Sequence, residues 1–212
     1  MDNDTALAAR LARDVEGAFP SLVTDHQDRL FTIALRLLGD RRDAEEVAQD
    51  ALVRAFRAMR GYSRERVEGL RLRPWLASIT INLARNKRRR HDDRLPPSQL
   101  EPMLAGGYDV AADPRGGPGA TADRRETQRD LAAALLTLTP SVRAAIVLRH
   151  VDGLSVAETA EALGRPEGTV KAQVFRGLRE LRAVLETAPA PRPTTPTPTR
   201  ATRLMPALEA IR

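Results

Sequence analysis

The sequence predicts an all-α protein of two small helical domains joined by a flexible linker, and three observations support this. Apolar residues recur three and four positions apart along most of the 212 residues, as on one face of a helix, and no convincing run of alternating β-branched residues appears. A stretch dense in proline and glycine interrupts this periodicity after His91. The chain length also allows two cores, because one domain usually spans about 100 to 200 residues.

These interruptions divide the chain into four segments. The predicted segments are an N-terminal helical domain (1–92), a flexible linker (93–125), a second, smaller helical domain (126–186) and a low-complexity tail (187–212). The tail is rich in proline, which prevents helix continuation. Near its end, Leu204, Leu208 and Ile211 have helical spacing, so this stretch is either a small docking helix or a frayed end.

Four helices are predicted in the N-terminal domain. The first contains Leu7, Leu11 and Val15 at helical spacing, and the others span about 25–38, 42–59 and 74–90. Gly39 is placed to end the second helix in the left-handed conformation, and Asp40 is placed to cap the third. Pro74 suits the first turn of the fourth.

Composition narrows the classes of partner and excludes several kinds of site. The net charge of +6 and the sequence pI near 10.7 favour an anionic macromolecule, such as nucleic acid or an acidic protein. The chain has no cysteine, so a disulfide framework and a thiolate metal site are excluded, and its three histidines are scattered. We therefore expect no metal and no cofactor.

The chain start and the apolar runs indicate the compartment. The N-terminal segment MDNDTALAARLARD is acidic and lacks the apolar core of a signal peptide. No apolar run approaches the roughly 20 residues that a membrane-spanning helix needs. We expect a cytoplasmic protein without membrane insertion.

A helix-turn-helix is predicted near the end of the second domain. Ser155 and Glu158 have capping-box spacing, so a helix should begin at Val156 and end at Gly164. Pro166 then opens the next helix after a short turn. In such units the second helix lies in the DNA major groove.

The second helix of this unit has two distinct sides. Its apolar side is predicted to pack inward through Val170, Val174, Leu178, Leu181 and Leu185, with Phe175 closing the edge of the core. Small residues and cations lie away from that side, where they can reach base edges and phosphates. These predicted DNA-binding residues are Gly168, Thr169, Lys171, Ala172, Arg176 and Arg179.

Two polar stripes mark the N-terminal domain. The stripe in DAEEVAQDALVRAF begins with Asp43, Glu46 and Asp50, and periodicity alone explains it equally well as a plain solvated face. The helix PWLASITINLARNKRRR buries Trp75 and presents a stripe of Ser78, Asn82, Arg85 and Arg89. It ends in four successive cations, which exceed what a helix C-terminus needs and favour phosphate binding.

Three segments together resemble a known family. RLLGDRRDAEEVAQDALVRAF, RPWLASITINLARNKRRR and LTPSVRAAIVLRHVDGLSVAETAEALGRPEGTVKAQVFRGLRELR are similar, in this order, to conserved regions of bacterial RNA polymerase sigma factors of the extracytoplasmic-function (ECF) type, in the sigma-70 family. The likeness covers roughly residues 20–92 and 126–186. It implies a region 2-like domain and a region 4-like domain.

The resemblance implies a sigma factor that binds core RNA polymerase and directs promoter-specific initiation without catalysis of its own. Its implied partners are core RNA polymerase, promoter DNA and, as a further candidate, an anti-sigma factor. The implied polymerase-binding residues are Asp43, Glu46, Gln49, Asp50 and Arg54. The loop from Gly61 to Arg73 and the following helix would engage the minus-10 element, through Tyr62, Ser78, Asn82, Arg85, Asn86 and Arg89. The helix-turn-helix would read the minus-35 element.

The sequence also bears on two other classes of function. A stand-alone helix-turn-helix regulator would use only the second domain, and the polar stripes of the first domain argue against it. An enzyme is disfavoured, because the sequence shows no phosphate-binding glycine loop, metal-ligand cluster or nucleophile motif.

Overall fold

The computed structural model describes residues 3–92 and 118–187, and within these ranges the chain is helical with no β-strand. The helices are α1 (Asn3–Arg13), α2 (Val15–Leu38), α3 (Arg41–Arg60), α4 (Arg64–Glu68), α5 (Leu72–Asp92), α6 (Pro118–Thr137), α7 (Pro140–Ile146), α8 (Val156–Leu163) and α9 (Glu167–Thr187). A π-helical turn, Val147–Val151, continues α7. The all-α prediction is confirmed.

The helix boundaries in the N-terminal half follow from their caps. The second helix begins about ten residues earlier than expected, because the Asp14 side chain accepts a hydrogen bond from the backbone N–H of Gly17 at 2.9 Å and starts α2 at Val15. Gly39 ends α2 with φ 80°, as predicted. Asp40 caps α3, also as predicted, by accepting from the N–H of Asp43 at 2.8 Å.

Two further elements differ from the expectation. The predicted loop from Gly61 to Arg73 contains the short helix α4, which begins where Ser63 accepts a hydrogen bond from the N–H of Arg66. Helix α6 begins at Pro118 and so includes the last residues assigned to the linker. The rest of the linker and the tail, with its candidate docking helix, lie outside the described residues.

One hydrophobic cluster runs through both halves of the described chain. In the N-terminal half, α2 packs on α3 and α5, and α1 packs on α2 and α4. The cluster continues through α7, the π-helical turn and α8, where Val147, Leu148 and Leu154 are fully buried. The two halves therefore share apolar burial, which is the main favourable term in folding.

Arg143 in α7 joins the halves with a buried charge. Its side chain is only 2% exposed. It donates hydrogen bonds to the backbone oxygen of Leu37, near the end of α2, at 2.7 Å, and to that of Leu138, just after α6, at 2.9 Å. The C-terminal end of a helix leaves carbonyl oxygens without hydrogen-bond partners and carries a partial negative charge. A cation there donates hydrogen bonds to these oxygens and offsets the charge.

Helix α9 packs against α7 through a glycine. A Cβ placed on Gly177 would lie 2.7 Å from Cγ1 of Val142 and 2.8 Å from Cγ1 of Ile146. These two side chains belong to a second apolar cluster that also contains Leu181. The absence of a side chain at position 177 therefore sets how closely α9 approaches α7.

The apolar side of α9 is narrower than predicted. Val170 and Leu181 are buried and Val174 is partly buried, but Leu178 is 45% exposed and Leu185 is 40% exposed. The prediction that both of these leucines pack inward was wrong. The helix is rotated so that Gly177, about 100° around the axis from Leu178, faces α7.

We predict that Gly177→Ala destabilises the protein by up to about 2 kcal/mol. Overpacking costs about 1–3 kcal/mol, and the better helix propensity of alanine offsets about 1 kcal/mol of this. Chemical unfolding followed by circular dichroism measures the change. Gly168→Ala is the matched control, because nothing lies within 4 Å of a Cβ there, and its effect should be neutral or stabilising. A Gly177→Ala protein more stable than the native chain would contradict the close packing.

His26 in α2 is buried at 3% exposure, with Nε2 3.4 Å from the carboxylate of Asp4. Burial lowers the pKa of His26, and the attraction of Asp4, the next largest influence, opposes this without overcoming it. The unfolded chain, with an imidazole pKa of about 6.5, therefore binds a proton at a higher pH than the folded chain does.

We predict that His26 makes the free energy of unfolding fall on mild acidification. Its contribution is fully present above about pH 6.5 and decreases as the pH drops from there toward the lower folded pKa. His26→Leu should reduce this acid-dependent loss, and urea unfolding between pH 7.5 and 5 measures it. The same substitution at exposed His91 is the control. An unchanged pH dependence in His26→Leu would show that His26 does not cause it.

Candidate nucleic-acid interface

The predicted helix-turn-helix is present as α8 and α9. Ser155 and Glu158 form the capping box: the Ser155 hydroxyl accepts from the N–H of Glu158 at 3.2 Å, and the Glu158 carboxylate accepts from the N–H of Ser155 at 2.8 Å. These hydrogen bonds lower the pKa of Glu158. Gly164 ends α8 in the left-handed conformation, with φ 61°, and α9 begins directly after Pro166.

The predicted DNA-binding side of α9 faces solvent. Every residue assigned to it is exposed: Gly168, Thr169, Lys171, Ala172, Arg176 and Arg179. Lys171 has an exposed carboxylate neighbour, Glu167, at 3.8 Å. Within residues 3–92 and 118–187, neither Arg176 nor Arg179 makes an ion pair, so both guanidinium groups are available to an anionic partner.

Phe175 lies on this exposed side and not at the core edge. Its side chain is 67% exposed, so the sequence-based placement was wrong. By helical rotation it lies close to Arg179 and Gly168 and away from Gly177. An exposed aromatic ring among cations is an apolar contact surface that can meet a thymine methyl group. The 3.6-residue period placed it at a border, and only the rotation of α9 resolved its side.

The predicted polar side of α5 is also formed. Asn82, Arg85, Asn86 and Arg89 are exposed on one side of the helix. Ser78 is partly buried, and its hydroxyl donates to the backbone oxygen of Trp75 at 2.7 Å. Four of the five predicted α5 residues are therefore open to a partner, and Ser78 lies at the inner end of the row.

Two aromatic rings lie beside the start of this row. The rings of Tyr62 and Trp75 are 6.2 Å apart, and the guanidinium of Arg66 lies 3.7 Å from the centre of the Tyr62 ring. Trp75 was expected to be buried, but it is only partly buried. It reaches the surface because it lies at the edge of the α5 face that carries Ser78 and Asn82. Aromatic rings and guanidinium planes are the surfaces on which unpaired bases stack.

The polar stripe of α3 is held by α5. The ammonium of Lys87 lies 3.1 Å from the carboxylate of Asp43 and 2.5 Å from that of Glu46. These carboxylates raise the pKa of Lys87, the hydrogen bond to Glu46 having the largest effect. The stripe of α3 and helix α5 are thus connected by a three-residue ionic contact.

The outer part of the α3 stripe, which is the part after Glu46, makes no ion pair with α5 among the described residues. Gln49, Asp50 and Arg54 are exposed. Val53 is 46% exposed between them, and periodicity did not single it out, since isolated exposed apolar residues are common. Its position three residues after Asp50 and four after Gln49 places it on the same surface.

In residues 3–92 and 118–187, no group of three or more histidine, aspartate or glutamate residues is arranged to hold a metal ion. Across the same part of the chain, no helix has the length and apolarity required to cross a membrane.

Comparison with known proteins identifies the family. Residues 22–94 match the sigma-70 region 2 family and residues 128–181 match sigma-70 region 4. SigE of Mycolicibacterium smegmatis, an ECF RNA polymerase sigma factor, is 35% identical over 193 residues, covering 87% of this chain and 69% of that protein. The sigma-E factor of Streptomyces avermitilis is 34% identical over 172 residues, covering 79% and 85%.

A solved structure shows the same fold. CnrH in complex with the cytosolic domain of CnrY superimposes with a TM-score of 0.63 at 26% identity, covering 89% of this chain and all of that one. With both sigma regions matched in order, the chain belongs to the ECF sigma factors of the sigma-70 family. It is a sigma factor that directs transcription initiation, and a stand-alone regulator is not favoured because region 2 occupies the N-terminal half.

Proposed function

We propose that three surfaces divide the work of initiation in this protein. The exposed side of α9 reads the minus-35 element as duplex, the exposed side of α5 with its adjacent loop engages the minus-10 element, and the outer side of α3 binds core RNA polymerase. The observation that carries the proposal is the orientation of α9, whose predicted reading residues all face solvent.

The proposed minus-35 surface combines small residues, which let the helix approach DNA closely, with positive charge. Gly168 and Ala172 have little or no side chain, so the start of α9 can approach base edges in the major groove. Arg176 and Arg179 follow on the same side and can donate two hydrogen bonds to guanine or to phosphate. Phe175 joins this set as an apolar contact.

The minus-10 surface suits unpaired DNA. Asn82 and Asn86 offer both donors and acceptors, and Arg85 and Arg89 supply cations for the backbone. Unstacking a base costs a few kcal/mol, and the partly exposed rings of Tyr62 and Trp75 can offset this by stacking.

The polymerase surface is acidic and partly apolar. Asp50 and Glu46 carry negative charge and Val53 adds an apolar contact, which together suit a basic partner surface with an apolar centre. Lys87 of α5 orients Asp43 and Glu46 from the side of α3 that faces α5. On this proposal, polymerase and DNA bind neighbouring sides of the α3–α5 pair.

The remaining assignments follow from this role. We propose that the protein has no catalytic activity of its own and acts in the cytoplasm, where polymerase and promoter DNA meet. The sigma factor RpoE of Bartonella quintana is bound by the anti-sigma factor NepR, and by analogy an anti-sigma factor is a further partner of this chain.

Arg176→Ala tests the reading surface. We expect it to weaken binding to the selected promoter by about 1–3 kcal/mol, which is about 5- to 150-fold, because a bidentate base contact is lost. The promoter is first selected from a randomised library by run-off transcription with purified core polymerase. Fluorescence anisotropy of the holoenzyme on that promoter then gives the affinity.

The control for Arg176→Ala is Arg13→Ala on α1, which removes the same charge from an exposed position remote from α9 in sequence. It should change promoter affinity far less. Equal losses of promoter affinity in the two variants would show that Arg176 contributes only through its positive charge and makes no specific base contact. A library that yields no promoter in run-off transcription would refute the proposed function itself.

Asp50→Lys tests the polymerase surface. We expect at least about tenfold weaker binding to core polymerase, because a like-charge contact across an interface costs several kcal/mol. Glu45→Lys makes the same charge change on another side of α3, where Glu45 pairs with Arg41 at 3.0 Å, and should bind nearly normally. Surface plasmon resonance with immobilised core polymerase compares them. Similar losses in both variants would show that the outer side of α3 is not the docking surface.

A further inference from the structure

Helix α9 carries exposed apolar side chains along one edge of its buried side. We name them the apolar strip; they are Phe175, Leu178 and Leu185, which are 67%, 45% and 40% exposed. At about 100° per residue, the three side chains lie within about 80° of one another around the helix axis. Arg182 lies on the same side of α9 and is also exposed. The strip therefore offers a partner an apolar surface with a cation in it.

The apolar strip differs from the other exposed apolar residues of the described chain. Elsewhere in residues 3–92 and 118–187, the exposed large apolar side chains are Val53, Leu131 and Val151, and these belong to three separate elements. Single exposed apolar residues are ordinary on a protein surface. Adjoining ones mark a surface where a partner binds.

DNA reading accounts for only one end of the apolar strip. Phe175 belongs to the proposed reading side, close to Arg179 by helical rotation. Leu178 and Leu185 lie at least about 100° around the axis from Arg179, between the reading side and the buried side. These two leucines therefore need another reason for their exposure, and a partner that covers them also comes close to Phe175.

The sequence after α9 contains a segment with matching chemistry. Residues 188–203 are proline, threonine, alanine and arginine only, without a large apolar residue. Residues 204–212, which we name the docking segment, then place Leu204, Leu208 and Ile211 at helical spacing. Glu209 is the one acidic side chain in 188–212. An apolar side with one carboxylate complements an apolar strip with one cation.

The connection is long enough for the docking segment to reach the strip. At about 3.1 Å per residue in polyproline II form, residues 188–203 can span about 50 Å. The strip from Phe175 to Leu185 is about 15 Å long at 1.5 Å per residue. A flexible tether of this kind keeps the segment near α9 at an effective concentration of about 1 mM. A contact too weak to hold a separate peptide is therefore populated within one chain.

Helix formation by the docking segment depends on the contact. Isolated helices shorter than about 12–15 residues are marginal in water, so the segment gains its helix only where its apolar side is buried. Pro206 is compatible with this, because proline is tolerated in the first turn of a helix. Laying an amphipathic helix on an apolar surface is a common mode of peptide recognition.

We propose that the docking segment binds the apolar strip of α9 within the same chain and shields Phe175 from DNA. The shielding rests on the proposed function of α9, whereas the contact itself does not. Leu208 and its apolar neighbours cover Leu178 and Leu185, and Glu209 lies near Arg182. Promoter DNA and the docking segment then compete for Phe175, so the segment lowers promoter affinity without abolishing it.

The absence of cysteine allows one spin label to report the contact. Ala210→Cys carries a nitroxide in the full chain, and NMR compares its backbone amide signals before and after reduction of the label. We expect the strongest broadening along α9 at Leu178 and Arg182. Leu208→Asp should remove most of it, because a charge in an apolar contact is costly. Ala201→Asp is the matched control, since it adds the same charge outside the docking segment and should keep the broadening.

Leu178→Asp tests the same contact from α9. It should also remove the broadening, and Val53→Asp, at an exposed position of α3, should not. If circular dichroism shows that Leu178→Asp is unfolded, Leu208→Asp decides alone. Equal broadening of α9 in the chains with Leu208 and with Asp at that position would overturn the proposal. So would broadening found only when a spin-labelled chain is mixed with a separate isotope-labelled chain, because the strip would then bind a second copy.

A second measurement tests the shielding of Phe175. Fluorescence anisotropy gives the affinity of the full chain for a fluorescein-labelled duplex that carries the minus-35 element of the selected promoter. We expect Leu208→Asp to bind at least about twofold more tightly than the native chain, because a larger competent fraction raises apparent affinity. Ala201→Asp should give no gain, and equal affinities of these two variants would overturn the shielding. A library that yields no promoter would instead refute the proposed function, while the NMR comparison still decides the contact.

Discussion

The contact between Gly177 of α9 and the side chains of α7 is the constraint on which the proposed reading surface depends. A glycine at this position lets α9 approach Val142 and Ile146 closely. The approach fixes the rotation of α9 about its own axis, so Val170 and Leu181 pack inward while the arginines point away. The proposed reading side of α9 is thus positioned by the packing of the opposite side of the helix against α7.

The same structure combines two kinds of contact between its halves. The apolar cluster that passes from α5 into α7 and α8 supplies non-directional stabilisation. Arg143 and the buried ion pair of Arg29 with Asp152 add directional contacts, because guanidinium groups must meet oxygens at defined angles. Apolar burial holds the halves together, and the charged contacts select one arrangement of them.

Prediction from sequence succeeded where the determining interaction is local. The caps at Asp40 and Ser155 and the left-handed glycines at 39 and 164 depend on residues within four positions of one another. The start of α2 was missed because the Asp14 cap was not recognised, and the helix continues through Pro20. Leu178, Leu185 and Phe175 were misplaced for a different reason. The helical period locates the apolar side of a helix only to within one residue at each edge. Which of these edge residues is buried depends on how the partner helix packs.

The sequence by itself determined the helical class, the order of the two sigma regions and the helix-turn-helix, and it supplied the candidate residues for contacts with DNA and polymerase. Periodicity, capping and motif order depend on residues that lie close together in the chain. Only the tertiary structure decided that α9 turns Phe175 outward and leaves Leu178 and Leu185 partly exposed. It also brought Arg29 to Asp152 across 123 positions of sequence and placed the carboxylates of α8 on Arg71. Such contacts join residues distant in sequence, and which of many possible partners meet depends on how the apolar surfaces of whole helices pack.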